Sequence, residues 1–202
     1  MFYKPKPKEN LDLRNKLFLE HGITALKEQG FEKSPFKVDW YGRTNHNDFT
    51  YILYRLTNEN ELQKVETHII RNENWIQINL NIFKISPDIN SLEELKESDG
   101  LKFHVPPNSF SEMRLRSDTY NCIPLFYMLF LPEHKIGQYF TKNGFKKKLN
   151  KLSDLILKDM RNIDSYVEKW KGKYTPKMVD WNGEIVVDKK NTTHNRTSYE
   201  KP

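Results

Sequence analysis

The side chains best equipped for chemistry in this chain are scattered, and their spacing decides which reactions are open to them. Nucleophilic catalysis needs a cysteine or serine beside a histidine that a carboxylate orients. The one cysteine, Cys122, lies in Asn121-Cys122-Ile123-Pro124 beside the most apolar stretch of the chain, a setting in which a small thiol fills space. The six histidines, His21, His46, His68, His104, His134 and His194, are scattered, with no His-Glu-x-x-His and no close His/Asp cluster. A metal centre would have to draw its ligands from remote segments. A metal-dependent nuclease would need an Asp and, on a neighbouring strand, an acid and a lysine two residues apart. Glu66-Thr67-His68 supplies the acid but puts histidine where the lysine belongs, and Asp48 is a loop acid. The eight glycines form neither a P-loop nor a dinucleotide fingerprint. No catalytic residue, metal or cofactor is expected from these patterns, and an enzyme assembled from distant segments is only a third reading.

Binding chemistry is better represented. Ile76, Ile78, Leu80 and Ile82 alternate with Gln77, Asn79, Asn81 and Phe83, the period-2 pattern of a strand with one apolar face. The other face gathers amides, and adjacent strands would add Tyr51 or Tyr54, His68 and Trp75. Amides and aromatics on a rigid sheet make a competent binding surface, so Trp75, Gln77, Asn79, Asn81 and His68 are the candidate protein-binding residues. Arg43-Thr44-Asn45-His46-Asn47-Asp48 concentrates donors and acceptors in one predicted turn, which is also ordinary turn chemistry. Arg114-Leu115-Arg116-Ser117-Asp118, if extended, would point both guanidinium groups to one side as a fork for carboxylate or phosphate, with local acids competing for them.

Charge supplies the other candidate. The formal net charge is +6, and Glu133 to Lys173 holds eleven Lys/Arg against five Asp/Glu, so this excess accounts for the whole. Within it Lys147, Lys151, Lys158 and Arg161 recur at helical steps that place them on one face, opposite the apolar residues, with Asp154 among them. These positions, with Arg114 and Arg116, are the candidate anion-binding residues. Lysine also serves any solvated helix face, and no aromatics interleave here as single-strand stacking would require.

The elements that must carry these residues follow from periodicity. Leu13, Leu17, Ala25 and Leu26 predict an amphipathic helix over Glu9 to Gly30, capped by Asn10 or Asp12 and weakened at Gly22. Phe36 to Tyr41, Phe49 to Thr57 and Leu62 to Arg71 are rich in β-branched and aromatic residues and read as strands before the Ile76 run. Short links at Asn58-Glu59-Asn60 and Asn72-Glu73-Asn74 suit antiparallel hairpins, since Asn tolerates left-handed turns. Ser86-Pro87-Asp88 breaks the chain, and Ser91-Leu92-Glu93-Glu94 opens a short helix ending near Gly100. Pro106-Pro107-Asn108 marks a loop, and Pro124 to Phe140 reads as a buried helix interrupted by Pro132. Leu149, Leu152, Ile156, Met160, Ile163, Val167 and Trp170 predict one long helix over Phe145 to Trp170 that packs on the sheet. A small hairpin is expected around Asn182-Gly183.

The fold class expected is α+β: an antiparallel meander of about four or more strands, with an N-terminal helix and a long C-terminal amphipathic helix on one face. One domain is expected over residues 1–187, its core at about 9–173, followed by a mobile polar tail at 188–202. A chain of 202 residues can bury about 70% of its unfolded surface without disulfide or metal. The lone cysteine argues for a reducing, cytoplasmic setting. The N-terminus has no apolar stretch behind its lysines, and the run Cys122 to Leu131 is too short to span a bilayer, so neither signal peptide nor membrane anchor is expected.

This outline of helix, meander and C-terminal helix, with Asn, Lys and Ile usage, resembles small bacterial accessory proteins such as toxin-immunity or defence-associated partners. The resemblance is architectural and assigns no residue a role. The reading is a non-enzymatic module that binds another protein through the polar sheet face, with nucleic-acid binding or processing through the basic helix face as the alternative and no membrane partner.

Overall fold

The fold is described by a computed structural model at residues 3, 5–97, 102–104, 112–118, 133–136 and 139–174. Helix α1 (Pro7–Leu17) runs into a π-helical segment (Phe18–Ile23) and then α2 (Thr24–Glu28). The expected caps are displaced. Pro7 opens the helix, where its missing N–H costs nothing, and Asn10 lies inside α1 with its Nδ2 donating to Asn74 Oδ1 at 3.2 Å. Gly22 does mark the irregular turn: a Cβ there would fall 2.4 Å from the Phe18 ring, so the absence of a side chain is what lets that ring lie against the backbone.

Strands β3 (Phe49–Thr57), β4 (Glu61–Ile69) and β5 (Gln77–Ser86) form the antiparallel centre of the sheet. The β3–β4 link places Asn58 and also Glu59 at positive φ, 54° and 61°. Each outer edge is interrupted. β1 (Glu32–Lys33) and β2 (Tyr41–Arg43) both pair with β3. β6 (Lys102–His104) and β7 (Met113–Arg114) both pair with β5. Among the described residues, edges of this kind offer no long template to another strand. The strand expected over Phe36 to Tyr41 is therefore corrected: only Tyr41 pairs, because the chain turns at Ser34–Asp39 before reaching β3.

The C-terminal helix is two helices, not one: α3 (Lys142–Arg161) and α4 (Ile163–Lys173). Asn162 separates them at φ −103°, ψ 28°, its side chain turning back to donate to the Lys158 carbonyl at 2.7 Å, a local bond that competes with helix continuation. The apolar stripe survives the break. Leu152, Ile156, Met160, Ile163, Val167 and Trp170 are all buried, each Leu or Ile contributing on the order of 2 kcal/mol. α3 packs on the π-helical segment and α2, while α4 packs on β5. Arg55 on β3 fastens the end of α4 to the sheet, donating to Asp164 and, at 2.9 Å, to Gln63 Oε1.

The register shows that both sheet faces carry apolar side chains, where alternation predicted one. Leu53, Val65 and Leu80 are in register and join the main core. On the opposite face Ile52, Tyr54, Leu62 and Ile85 pack with Ile89, Leu92 and Leu95 in a second cluster. The expected short helix supplies part of this cover as a 3₁₀ turn, Glu93–Lys96. Only the remainder of that face is polar. Cys122, Pro106-Pro107-Asn108, the hairpin at Asn182-Gly183 and the tail at 188–202 lie outside the described residues, as does Pro124 to Pro132 of the expected buried helix. The described part of that helix is corrected: 133–136 is not helical and bridges Lys135 to Trp75. Among the described residues no helix is long and apolar enough to cross a membrane.

Candidate functional site

The polar part of the sheet is set by register. Thr50, His68 and Gln77 form one rung, Ile52, Glu66 and Asn79 the next, and Tyr54, Lys64 and Asn81 the third. Cross-strand neighbours on one face stand close enough to interact, and here they do. Glu66 takes Lys64 on one oxygen and His68 Nε2 on the other at 3.2 Å. His68 Nδ1 lies 3.2 Å from Thr50 Oγ1. The hydrogen bond from His68, with the Lys64 ammonium, outweighs burial and holds the Glu66 carboxyl at about 2. Beside them Glu112 hydrogen-bonds Asn79, and burial together with the nearby Glu66 raises its pKa. Two carboxyls on one face are thus driven in opposite directions, one fixed as an anion and one made readier to take a proton.

Trp75 begins the same face. The Arg114 guanidinium stands 4.6 Å from its ring centroid and the Lys135 ammonium 4.4 Å from it. Cations this close to an indole ring are attracted to it and restrain it. The backbone around it is held as tightly. Arg14 of α1 is fully buried and donates to the carbonyls of Trp75, Ile70 and Asn10. Burial lowers its pKa to about 10, with Glu73 and Asp48 opposing, so it is cationic at neutral pH. On the other side Ile76 N donates to His134 O at 2.8 Å and Ile136 N to Asn74 O at 2.9 Å, stitching Glu133–Ile136 to the start of β5. Gln77 donates to Glu73 Oε2 at 2.7 Å.

Beneath this point lies a small depression walled by Trp75, Arg114, Ser117, Glu133 and His134. Its floor is ionic. Asp159 of α3, buried, accepts from two of the three Arg116 nitrogens, Nε at Oδ2 and Nη2 at Oδ1 (2.7 Å), and lies 2.7 Å through Oδ2 from His134 Nε2. Burial opposes ionisation of Asp159, but the Arg116 and His134 hydrogen bonds prevail and hold it at about 2. Burial, reinforced by the charges of Arg116 and Arg114, lowers the pKa of His134 against the pull of Asp159. The cluster therefore ties the 114–118 turn and the 133–136 segment to α3.

The structure brings Trp75, Gln77, Asn79, Asn81 and His68 onto one half-buried face. Asn81 is the least engaged with its neighbours, its Oδ1 accepting from the next residue's N–H at 2.9 Å. Of the two tyrosines considered, Tyr54 shares the face but is buried in the second cluster, and Tyr51 belongs to the core, its hydroxyl donating to Asn15 Oδ1 at 2.7 Å. The arginine fork is corrected. Residues 114–118 form a turn with Arg116 at φ 65°, so Arg114 goes to Trp75 and Arg116 to Asp159 instead of sharing one side. Lys147, Lys151, Lys158 and Arg161 are all exposed on α3, with Arg161 Nε 3.3 Å from Glu28 Oε2. Arg43, in the expected turn cluster, pairs with Asp12 at 3.7 Å.

Sequence reasoning missed Arg14, Lys64, Glu112, Lys135, His134 and Asp159 as members of this site. Two signals were available. Lys64, Glu66 and His68 alternate along one strand, and Asp159 occupies the same helical side as Leu152, Ile156 and Met160, where an acid needs a buried cation. Among the described residues no three His, Cys, Asp or Glu side chains are placed to hold a metal ion. Comparison of the chain with protein-family models, curated proteins and solved structures gives no match.

Proposed function

We propose that the chain is a non-enzymatic module that binds another protein through the sheet face centred on Trp75, in the manner of an immunity- or inhibitor-type accessory protein. The observation that carries this reading is the restrained Trp75: an indole with the Arg114 guanidinium and the Lys135 ammonium 4.6 and 4.4 Å from its ring centroid, its carbonyl held by Arg14, beside a shallow depression. Tryptophan and arginine dominate binding hot spots, and side chains ordered before association lose less entropy in forming the complex. Gln77, Asn79 and the Glu66 triad supply the polar surround.

The test is retention of a native partner from cell extract on immobilised protein, compared across Trp75→Ala, Gln77→Ala and Asn79→Ala. A hot-spot tryptophan predicts a loss of about thirtyfold or more in affinity. The two amide variants guard against a folding defect in Trp75→Ala, since half-buried amides can be trimmed with little effect on the core. A partner held equally by all three variants would overturn the assignment of this face.

A further inference from the structure

We infer that the first half of α3 is a docking surface for the phosphate backbone of double-stranded nucleic acid, separate from the Trp75 face. From Lys142 to Lys151 the helix carries Lys142, Lys146, Lys147, Lys148 and Lys151 and no Asp or Glu, and all five lysines are exposed. None of them makes an ion pair among the described residues. Several cations elsewhere do meet acids, Lys16 with Glu20, Arg55 with Asp164, Arg161 with Glu28 and Lys171 with Glu61, and what sets this segment apart is five lysines within ten residues with no acid among them. Lys142 also stands in the first turn of α3, which contains no acid and where the helix dipole disfavours a cation.

Charge complementarity points to the occupant. At 1.5 Å per residue the five lysines cover about 14 Å of helix, a length over which duplex DNA presents about eight phosphates. A membrane surface fits less well, because the apolar side of α3, Phe145, Leu152, Ile156 and Met160, is buried in the protein and has nothing to insert. A protein interface fits less well too, since interface cores are depleted in lysine. Such contacts position a backbone without reading sequence, so binding would be non-specific. Arg161 drops out of the surface because Glu28 answers it, and Lys142, Lys146 and Lys148 join Lys147 and Lys151 in its place.

The experiment is titration of the full chain with a fluorescent 20-base-pair DNA duplex over a range of salt, repeated with Lys146→Gln/Lys147→Gln/Lys151→Gln. The wild type is expected to lose affinity steeply with salt. The triple variant should bind at least tenfold more weakly, with a log–log salt slope shallower by about 3. A control with the same loss of charge elsewhere, Lys27→Gln/Lys37→Gln/Lys84→Gln, should stay within about twofold of wild type at moderate salt. Binding indifferent to salt, or equal loss in both triple variants, would overturn the inference. So would equal or tighter binding to poly-glutamate, or to phosphatidylserine vesicles, than to the duplex.

Discussion

The face around Trp75 and the first half of α3 use the same cations to opposite ends. On the sheet Lys64 and Lys135 are each committed, one to Glu66 and one to the indole, and Arg116 is locked to Asp159. On α3 the lysines from 142 to 151 have no acid within the segment. The contrast is sharpest within one helix, where Asp154 stands exposed among lysines and Asp159 is buried between an arginine and a histidine. Opposite charges placed in contact define a geometry and resist solvent, whereas like charges left together define a field. The first arrangement suits a surface that must keep its shape, and the second one that must attract.

The largest way to break that contrast is to exchange the fates of the two aspartates. Asp159→Ala leaves Arg116 without its carboxylate in a nearly dry site, and a broken buried pair costs about 3–5 kcal/mol. For a chain of this length that is a fall in melting temperature of roughly 6–20 °C. Asp154→Ala, five residues earlier on the same helix, should change stability by no more than about 0.5 kcal/mol. Denaturant unfolding of the two variants checks both values together. Similar small losses from each would mean that the buried cluster holds nothing in place.

Acid should separate the regions next. Glu66 and Asp159 are both held at about 2 in the folded chain, below their ordinary values, so the stability they contribute is complete above about pH 5 and is lost as pH falls towards 2. His134 adds an earlier step of the same sign. Its folded pKa is lowered, so below about pH 6.5 the unfolded chain takes up a proton that the folded chain does not. Unfolding free energy is therefore expected to fall already between pH 7 and 5, and to fall faster below that. His134→Gln should flatten the first leg, and Glu66→Gln should reduce the second. Lys146→Gln/Lys147→Gln/Lys151→Gln alters none of Glu66, Asp159 and His134 and should leave the profile's shape unchanged. Stability that rose on acidification from pH 7 to 5 would refute the placement of His134.

The last of the central strands was legible because its alternation is local, and the two before it from their β-branched and aromatic content. Gly22 announced an irregular turn for a reason visible in its residue type. The break at Asn162 was not legible, since the apolar stripe runs through it at unchanged spacing and the side chain's bond to the Lys158 carbonyl leaves no mark in periodicity. The second apolar cluster was hidden for a related reason: Leu62, Phe83 and Ile85 begin to pair with apolar partners only once the register is known. Long-range closures were the hardest. Arg14 reaching Trp75, Lys135 stacking on the same indole, and Arg116 finding Asp159 join segments far apart in the chain. In the sequence each is a lone charge, and only the unsuitable position of Asp159 within an apolar stripe hinted at a partner.

The smallest expected effect is the one that isolates sign. Lys64→Gln removes the partner of a partly buried carboxylate and should lower stability by no more than about 1 kcal/mol, the usual worth of such a pair near the surface. Lys142→Glu acts on a lysine at the first position of α3, where the Thr141 hydroxyl caps the helix by accepting from Gly144 N at 3.0 Å and no acid faces the dipole. An acid there should raise stability by about 0.3–1 kcal/mol, or roughly 1–4 °C in melting temperature. Two lysines on one protein would then shift stability in opposite directions, read in the same thermal scan. A loss in both variants would mean that Lys142 supports the fold as Lys64 does, and the division between a surface held by its charges and one strained by them would disappear.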